Sequence, residues 1–198
     1  MFFRPYYTWK FVAKFMSFNQ FSRRDFLKLS AAGAASVAFF PSVSFAAYPD
    51  KPRVIAMNNL HTGEALESCY FDGKEYVNKE LARLNHLCRD FRRNEVHPID
   101  KELFDHLTQI QRLLGTTNEV QIISGYRSPA TNEALRAQSS GGVAKKSYHM
   151  FGKAIDFRIE GVKLAHVREA ALSLKAGGVG YYPTSQFVHI DTGPVRSW

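Results

Sequence analysis

The sequence predicts an α+β fold, helices packed against one sheet, and three observations carry that prediction. Apolar residues recur at helical spacing across residues 77–114, and the period changes to alternation after Glu119. The chemically costly residues then fall together on one side of the alternating segments, as they do when one sheet presents a common face. Taken in order, "RVIAMNNLHTGEALESCYFDGK" reads as two short strands with turns at 61–63 and 72–73. "VNKELARLNHLCRDFRR" places Leu81, Leu84, Leu87, Cys88 and Phe91 on one helical face, and Leu103, Phe104, Leu107, Ile110, Leu113 and Leu114 repeat the pattern after Asp100. "VQIISGYRS" is a buried strand entering a glycine turn, "PATNEALRAQS" a short helix and "SGGVAKKSY" a polar connection. "KAIDFRI" alternates, with Ala154, Asp156 and Arg158 opposite Ile155, Phe157 and Ile159. "KLAHVREAALSLKAGG" is a helix closed by Gly177 and Gly178, and "VGYYP" and "QFVHIDTG" are the last strands. In the latter, Phe187, His189 and Asp191 share the face opposite Val188 and Ile190.

Residues 1–46 have a different character. "SRRDFLKLSAAGAASVAFFPSVSFA" carries Arg23 and Arg24 ahead of an apolar run and ends in a small-x-small pattern at Ser44, Phe45 and Ala46. The run is well short of the ~20 residues a membrane-crossing helix needs, and Pro41 interrupts it. The reading is a Tat-type export signal over 1–46, with the Tat export machinery as partner and the periplasm as destination. No stable membrane span is expected after cleavage. Met16 offers an alternative start, which would make residues 1–15 a start-site artefact, and nothing rests on them. Residues 47–198 then form one domain without repeat or linker.

Charge narrows the partners. The whole chain carries a formal +8, but six basic and one acidic residue lie in 1–46, so 47–198 keeps 20 basic against 17 acidic, a formal +3. No basic stripe with interleaved aromatics survives, which argues against nucleic-acid binding. Two cysteines, Cys69 and Cys88, are compatible with a disulfide or with two separate thiols, and they exclude a thiolate zinc site.

"SYHMFGKAID" and "FVHID" concentrate the chemistry. His149, Asp156 and His189 are the candidate ligands of a metal ion, because two neutral imidazoles and one carboxylate leave a tetrahedral zinc one open position for water. Such a site lowers the pKa of that water towards ~7. Gly152 lets the chain turn between the first two ligands, and Ala154 leaves room beside Asp156. A lone histidine is ordinarily a hydrogen-bonded core or surface residue; the compound pattern is what lifts His149 above that reading. The facial triad of non-haem iron enzymes spaces its first two ligands by two residues, not seven.

"SYHMFGKAID" matches the SxHxxGxAxD signature of the zinc D-Ala-D-Ala peptidases, and with "FVHID" and "SGYRS" the chain resembles the murein endopeptidase K-like zinc peptidases. Their fold group also contains lysostaphin and the hedgehog N-terminal domain. The resemblance is densest over 122–198 and extends back to "NNLHTGE". It implies a small antiparallel sheet cradling Zn2+, and a periplasmic metallopeptidase acting on peptidoglycan cross-links, including those between two diaminopimelate residues. Carried over by position, His149, Asp156 and His189 are the ligands, Arg127 steadies the substrate carbonyl or carboxylate, and Ser147 contacts substrate.

The general base departs from the pattern. Gln186 stands where the dipeptidase branch has Glu, and Phe187 where other branches have the first His of HxH. Asp191 is the replacement candidate, either as base or as the group that orients a ligand imidazole, and His61 is a distant third. Two alternatives stay open: a D,D- or L,D-carboxypeptidase on stem peptides, and an inactive zinc-containing wall-binding module. Tyr181 and Tyr182 are readable as groove or as packing, and the oligomeric state is not legible.

Overall fold

The alternating segments form one sheet whose register gathers the costly residues into a single row. A computed structural model describes residues 51–138 and 143–198; the expected signal peptide over 1–46 lies outside the described residues. Seven strands are present: Arg53–Asn59 (β1), Ala65–Phe71 (β2), Val120–Ser124 (β3), Ala154–Ile159 (β4), Gly178–Tyr182 (β5), Phe187–Asp191 (β6) and Arg196–Ser197 (β7). They pair in the order β2-β1-β3-β4-β6-β5-β7. The helices are Asn78–Leu87 (α1), Lys101–Leu113 (α2), Pro129–Gln138 (α3) and Leu164–Leu174 (α4), with a 3-10 turn at Tyr148–Phe151.

The fold is therefore α+β, with a larger sheet than the small antiparallel one expected. It is also mixed: β1 runs parallel to β3 and β5 parallel to β7, while the other pairs are antiparallel. A parallel neighbour requires a long crossover, and the segment between β2 and β3, with α1 and α2, supplies it.

One face of the sheet is apolar. Ile55, Met57, Val120, Ile122, Ile155, Phe157, Val188 and Ile190 are all buried there, against Leu103, Phe104, Leu107 and Ile110 of α2 and Val167, Ala170 and Ala171 of α4. Asp100 starts α2 by accepting a hydrogen bond from the Glu102 amide at 3.2 Å.

Two helix ends differ from expectation. α1 stops at Leu87, so Phe91 is off the helix and stacks instead on His61 with ring centroids 4.4 Å apart. The cause is Asp90, whose buried carboxylate accepts from the Arg92 and Ser128 amides and the Ser128 hydroxyl, an alternative to continued helix. α4 closes at Lys175, which takes the left-handed conformation, φ 51°, ahead of the two glycines. Cys69 and Cys88 are both free; Cys69 is exposed, while burial pushes the Cys88 thiol up to about 12.

Candidate metal centre

Three strands and one turn build the site. A register shift between Ile122 and Ser124 in β3 places Ser124 opposite Asp156. Across the next pair, Asp156 of β4 faces His189 of β6 and Ala154 faces Asp191. The small side chain of Ala154 thus sits where a larger one would meet the second carboxylate. His149 enters from the 3-10 turn, which ends on Gly152 in the left-handed region at φ 64°. A Cβ at that position would lie 2.1 Å from the Pro98 carbonyl oxygen, so conformation and space both call for glycine.

His149, Asp156 and His189 are all buried, and one ligand atom from each lies within 4.8 Å of the others. The hydrogen bonds around them decide which atoms point inward. His149 Nδ1 is 2.7 Å from the Gly125 carbonyl, which only accepts, so Nδ1 donates and Nε2 turns its lone pair to Asp156 Oδ2 at 3.2 Å. His189 lies between two carboxylates, Nε2 3.1 Å from Asp191 Oδ2 and Nδ1 2.8 Å from Asp156 Oδ1: as an imidazolium it donates to both, and as a neutral ring donating to Asp191 it presents the Nδ1 lone pair beside Asp156. With neutral imidazoles, three acceptors converge with no donor between them. Such an arrangement is costly unless a cation or a proton occupies it.

The acid–base behaviour of the protein's own groups shows the same demand. Burial disfavours the Asp156 carboxylate, yet positive charge and N–H donation from the neighbouring imidazoles of His149 and His189, which they offer only when a proton fills the gap, outweigh it and hold its carboxyl well below the usual range. Burial likewise disfavours the His189 imidazolium, yet Asp156 and Asp191 outweigh it and push His189 up to about 9. The donor set of two imidazoles and one carboxylate suits a divalent transition metal of zinc type.

These residues floor a cleft of about 280 Å³ that Arg127, Ser147, Tyr182 and Phe187 also line. Arg127 Nη2 lies 3.7 Å from Asp156 Oδ2 and donates to Ser124 Oγ at 3.2 Å. Its buried Nε has no hydrogen-bond partner among the described residues. Of the two tyrosines, Tyr182 lines the cleft, stacked on Phe187 at 4.5 Å, while Tyr181 packs against the core.

The base candidates separate clearly. Gln186 is exposed, adopts φ 57° and folds its side-chain amide onto the Pro183 carbonyl. His61 is exposed on its stack with Phe91. Asp191 is buried and does not line the cleft; both its oxygens are engaged, by His189, by the Gly178 and Gly193 amides at 3.1 and 2.8 Å, and by Arg196. Those contacts outweigh the cost of burial and keep its carboxyl well below the usual range.

Sequence reasoning missed the C-terminal "VRSW". Arg196 and Trp198 line the cleft, and the Trp198 ring lies 5.3 Å from that of His189 with its indole N–H donating to the Tyr182 hydroxyl at 2.7 Å. A basic and an aromatic residue beyond the last alternating strand were the available signal, and no periodicity marked them.

Comparison with known proteins gives the family. Residues 47–198 match the family model described as peptidoglycan L,D-endopeptidase MepK, and residues 20–40 match that of the twin-arginine translocation signal sequence. The chain is 54% identical over 178 residues to the peptidoglycan L,D-endopeptidase MepK of Escherichia coli K12, an alignment covering 89% of this chain and 97% of the relative. The Shigella flexneri protein of the same name gives the same figures. A probable peptidoglycan L,D-endopeptidase MepK of Haemophilus influenzae is 46% identical over 185 residues, covering 92% and 98%.

Proposed function

The chain belongs to the peptidoglycan L,D-endopeptidase MepK family, and from that premise we propose that it is a periplasmic zinc peptidase hydrolysing peptide cross-links in peptidoglycan, with His149, Asp156 and His189 as its metal ligands. The observation that carries the metal reading is that one potential ligand atom each of His149, Asp156 and His189 lies within 4.8 Å of the others, on residues that line a cleft. A divalent cation held there supplies a Lewis acid and an acidified water for amide hydrolysis.

The chain's own residues do the rest. Arg127, with its guanidinium beside Asp156 and lining the cleft, receives a carbonyl or carboxylate of the peptide and steadies charge developing there. Ser147, buried at the start of the turn that carries His149, contacts the bound stem peptide. Asp191 takes the orienting role: its carboxylate, saturated and out of the cleft, fixes which nitrogen of His189 is available. The twin-arginine signal directs export, and cleavage after the small-x-small pattern that ends at Ala46 would release residues 47–198.

Purified sacculi incubated with the zinc-loaded protein should release muropeptides whose masses report cleavage between two diaminopimelate residues. His149→Ala should lose both bound zinc and this release. Sacculus binding without any cleaved product from the parent would sink the enzyme reading, and a His149→Ala variant that digests at the parent rate would sink the site.

A further inference from the structure

Arg196 ties together the two elements that carry the imidazoles, and we propose that it is a positioning residue for the metal centre, acting through Asp191. The inference rests on the cation reading of the site and adds a residue outside the ligand set.

The guanidinium grips Asp191 with both terminal nitrogens, Nη2 to Oδ2 at 2.6 Å and Nη1 to Oδ1 at 3.0 Å. This two-pronged geometry fixes the plane of the carboxylate as well as its position. The same Oδ2 receives the His189 Nε2–H at 3.1 Å, so the plane that Arg196 sets is the one that aims the His189 ring. A surface ion pair is ordinarily worth little, but this one has a fully buried carboxylate. It also has a guanidinium restrained by aromatic rings, Tyr148 at 5.1 Å and Trp198 at 5.0 Å from its carbon.

Tyr148 immediately precedes His149 in the 3-10 turn. Arg196 therefore touches the His189 strand through Asp191 and the His149 turn through Tyr148. Two glycines clear the space for this cluster. A Cβ on Gly178 would come within 2.5 Å of Asp191 Oδ2, and one on Gly193 within 2.6 Å of the Tyr148 ring and hydroxyl. The charge matters too: Arg196 offsets Asp191, leaving Asp156 as the carboxylate whose charge the cation meets.

The test measures Zn2+ affinity by chelator competition on the full mature chain. Arg196→Ala should weaken binding by about 10- to 100-fold, the usual cost of losing a group that orients a ligand. Arg196→Lys should recover only part of it, because one ammonium cannot reproduce the fork. Free guanidinium ion at low millimolar concentration should restore affinity to the Ala variant and leave the parent unchanged, a readout that a general loss of folding would not give. In an Asp191→Asn background, Arg196→Ala should cost less than twofold further. If Arg196→Ala binds zinc as tightly as the parent, or the two substitutions are fully additive, the proposal is overturned. Failure of the parent to bind zinc would instead overturn the site itself, so the two failures are distinguishable. Should the Ala variant not fold, the Lys variant and its guanidinium-free affinity carry the same comparison.

Discussion

Gln186 shows how far a single residue's chemistry depends on the backbone beneath it. By position it stands where a related branch carries a catalytic Glu, which suggests that one amide-to-carboxylate change would supply the base. The structure argues otherwise. Gln186 occupies a left-handed turn position, exposed, with its side-chain amide on the Pro183 carbonyl, and it is not among the residues that line the cleft. A well-placed general base contributes about 10²- to 10⁴-fold, so a carboxylate that reached the reacting atoms would be conspicuous. Gln186→Glu should accordingly change kcat/KM on a defined cross-linked muropeptide by less than about threefold; a tenfold gain would show that this turn does reach the reaction. Asp191 illustrates the converse. Its spacing from His189 made a base and an orienting carboxylate equally readable, and its five hydrogen bonds, together with its exclusion from the cleft, favour the second.

At the scale of elements, the turn from Tyr148 to Gly152 is where sequence and conformation constrain each other most tightly. Any side chain at position 152 must adopt φ 64° and displace the Pro98 carbonyl, whose neighbour segment begins α2. Left-handed strain and overpacking together place the cost of Gly152→Ala at about 3 kcal/mol. For a domain of this size that lowers Tm by roughly 6–12 °C, a shift calorimetry of the metal-free protein should resolve. A change below about 2 °C would mean the turn relaxes freely. Gly152 was legible in the sequence because a glycine between two ligands has few other reasons to be there. The strand faces were legible for a similar reason: alternation in "KAIDFRI" puts Asp156 opposite Ile155 and Phe157, alternation in "QFVHIDTG" puts His189 and Asp191 opposite Val188 and Ile190, and burying both apolar faces in one core leaves all three on the other side. What was not legible was the register itself. The shift in β3 that brings Ser124 opposite Asp156, the parallel pairings at β1 and β7, and the return of Arg196 and Trp198 to the cleft all depend on contacts far apart in sequence. Phe91 fits the helical period and still leaves the helix, because a buried Asp90 three residues past its end redirects the chain.

For the whole molecule, the centre couples protonation, metal occupancy and folding. His189 is held at about 9 by Asp156 and Asp191 against the pull of burial, above its value of ~6.5 in an unfolded chain. A histidine raised in this way contributes stability that is fully present below about pH 6.5 and is lost as pH rises through about 9. In chelator-treated protein that contribution is about 1–3 kcal/mol, so Tm should fall across this window if other groups are quiet. Zinc reverses the trend. The ion needs the lone pair that the proton occupies, so its affinity increases as the proton leaves, and a ligand that binds only the folded state stabilises it by RT ln(1 + [L]/Kd). The Tm gain on adding a fixed excess of zinc should therefore widen from pH 6 to pH 9, and the widening should vanish in His189→Ala. A gain that stays constant with pH in the parent would mean that His189 releases no proton on binding, and the converging-acceptor account of the site would fail with it.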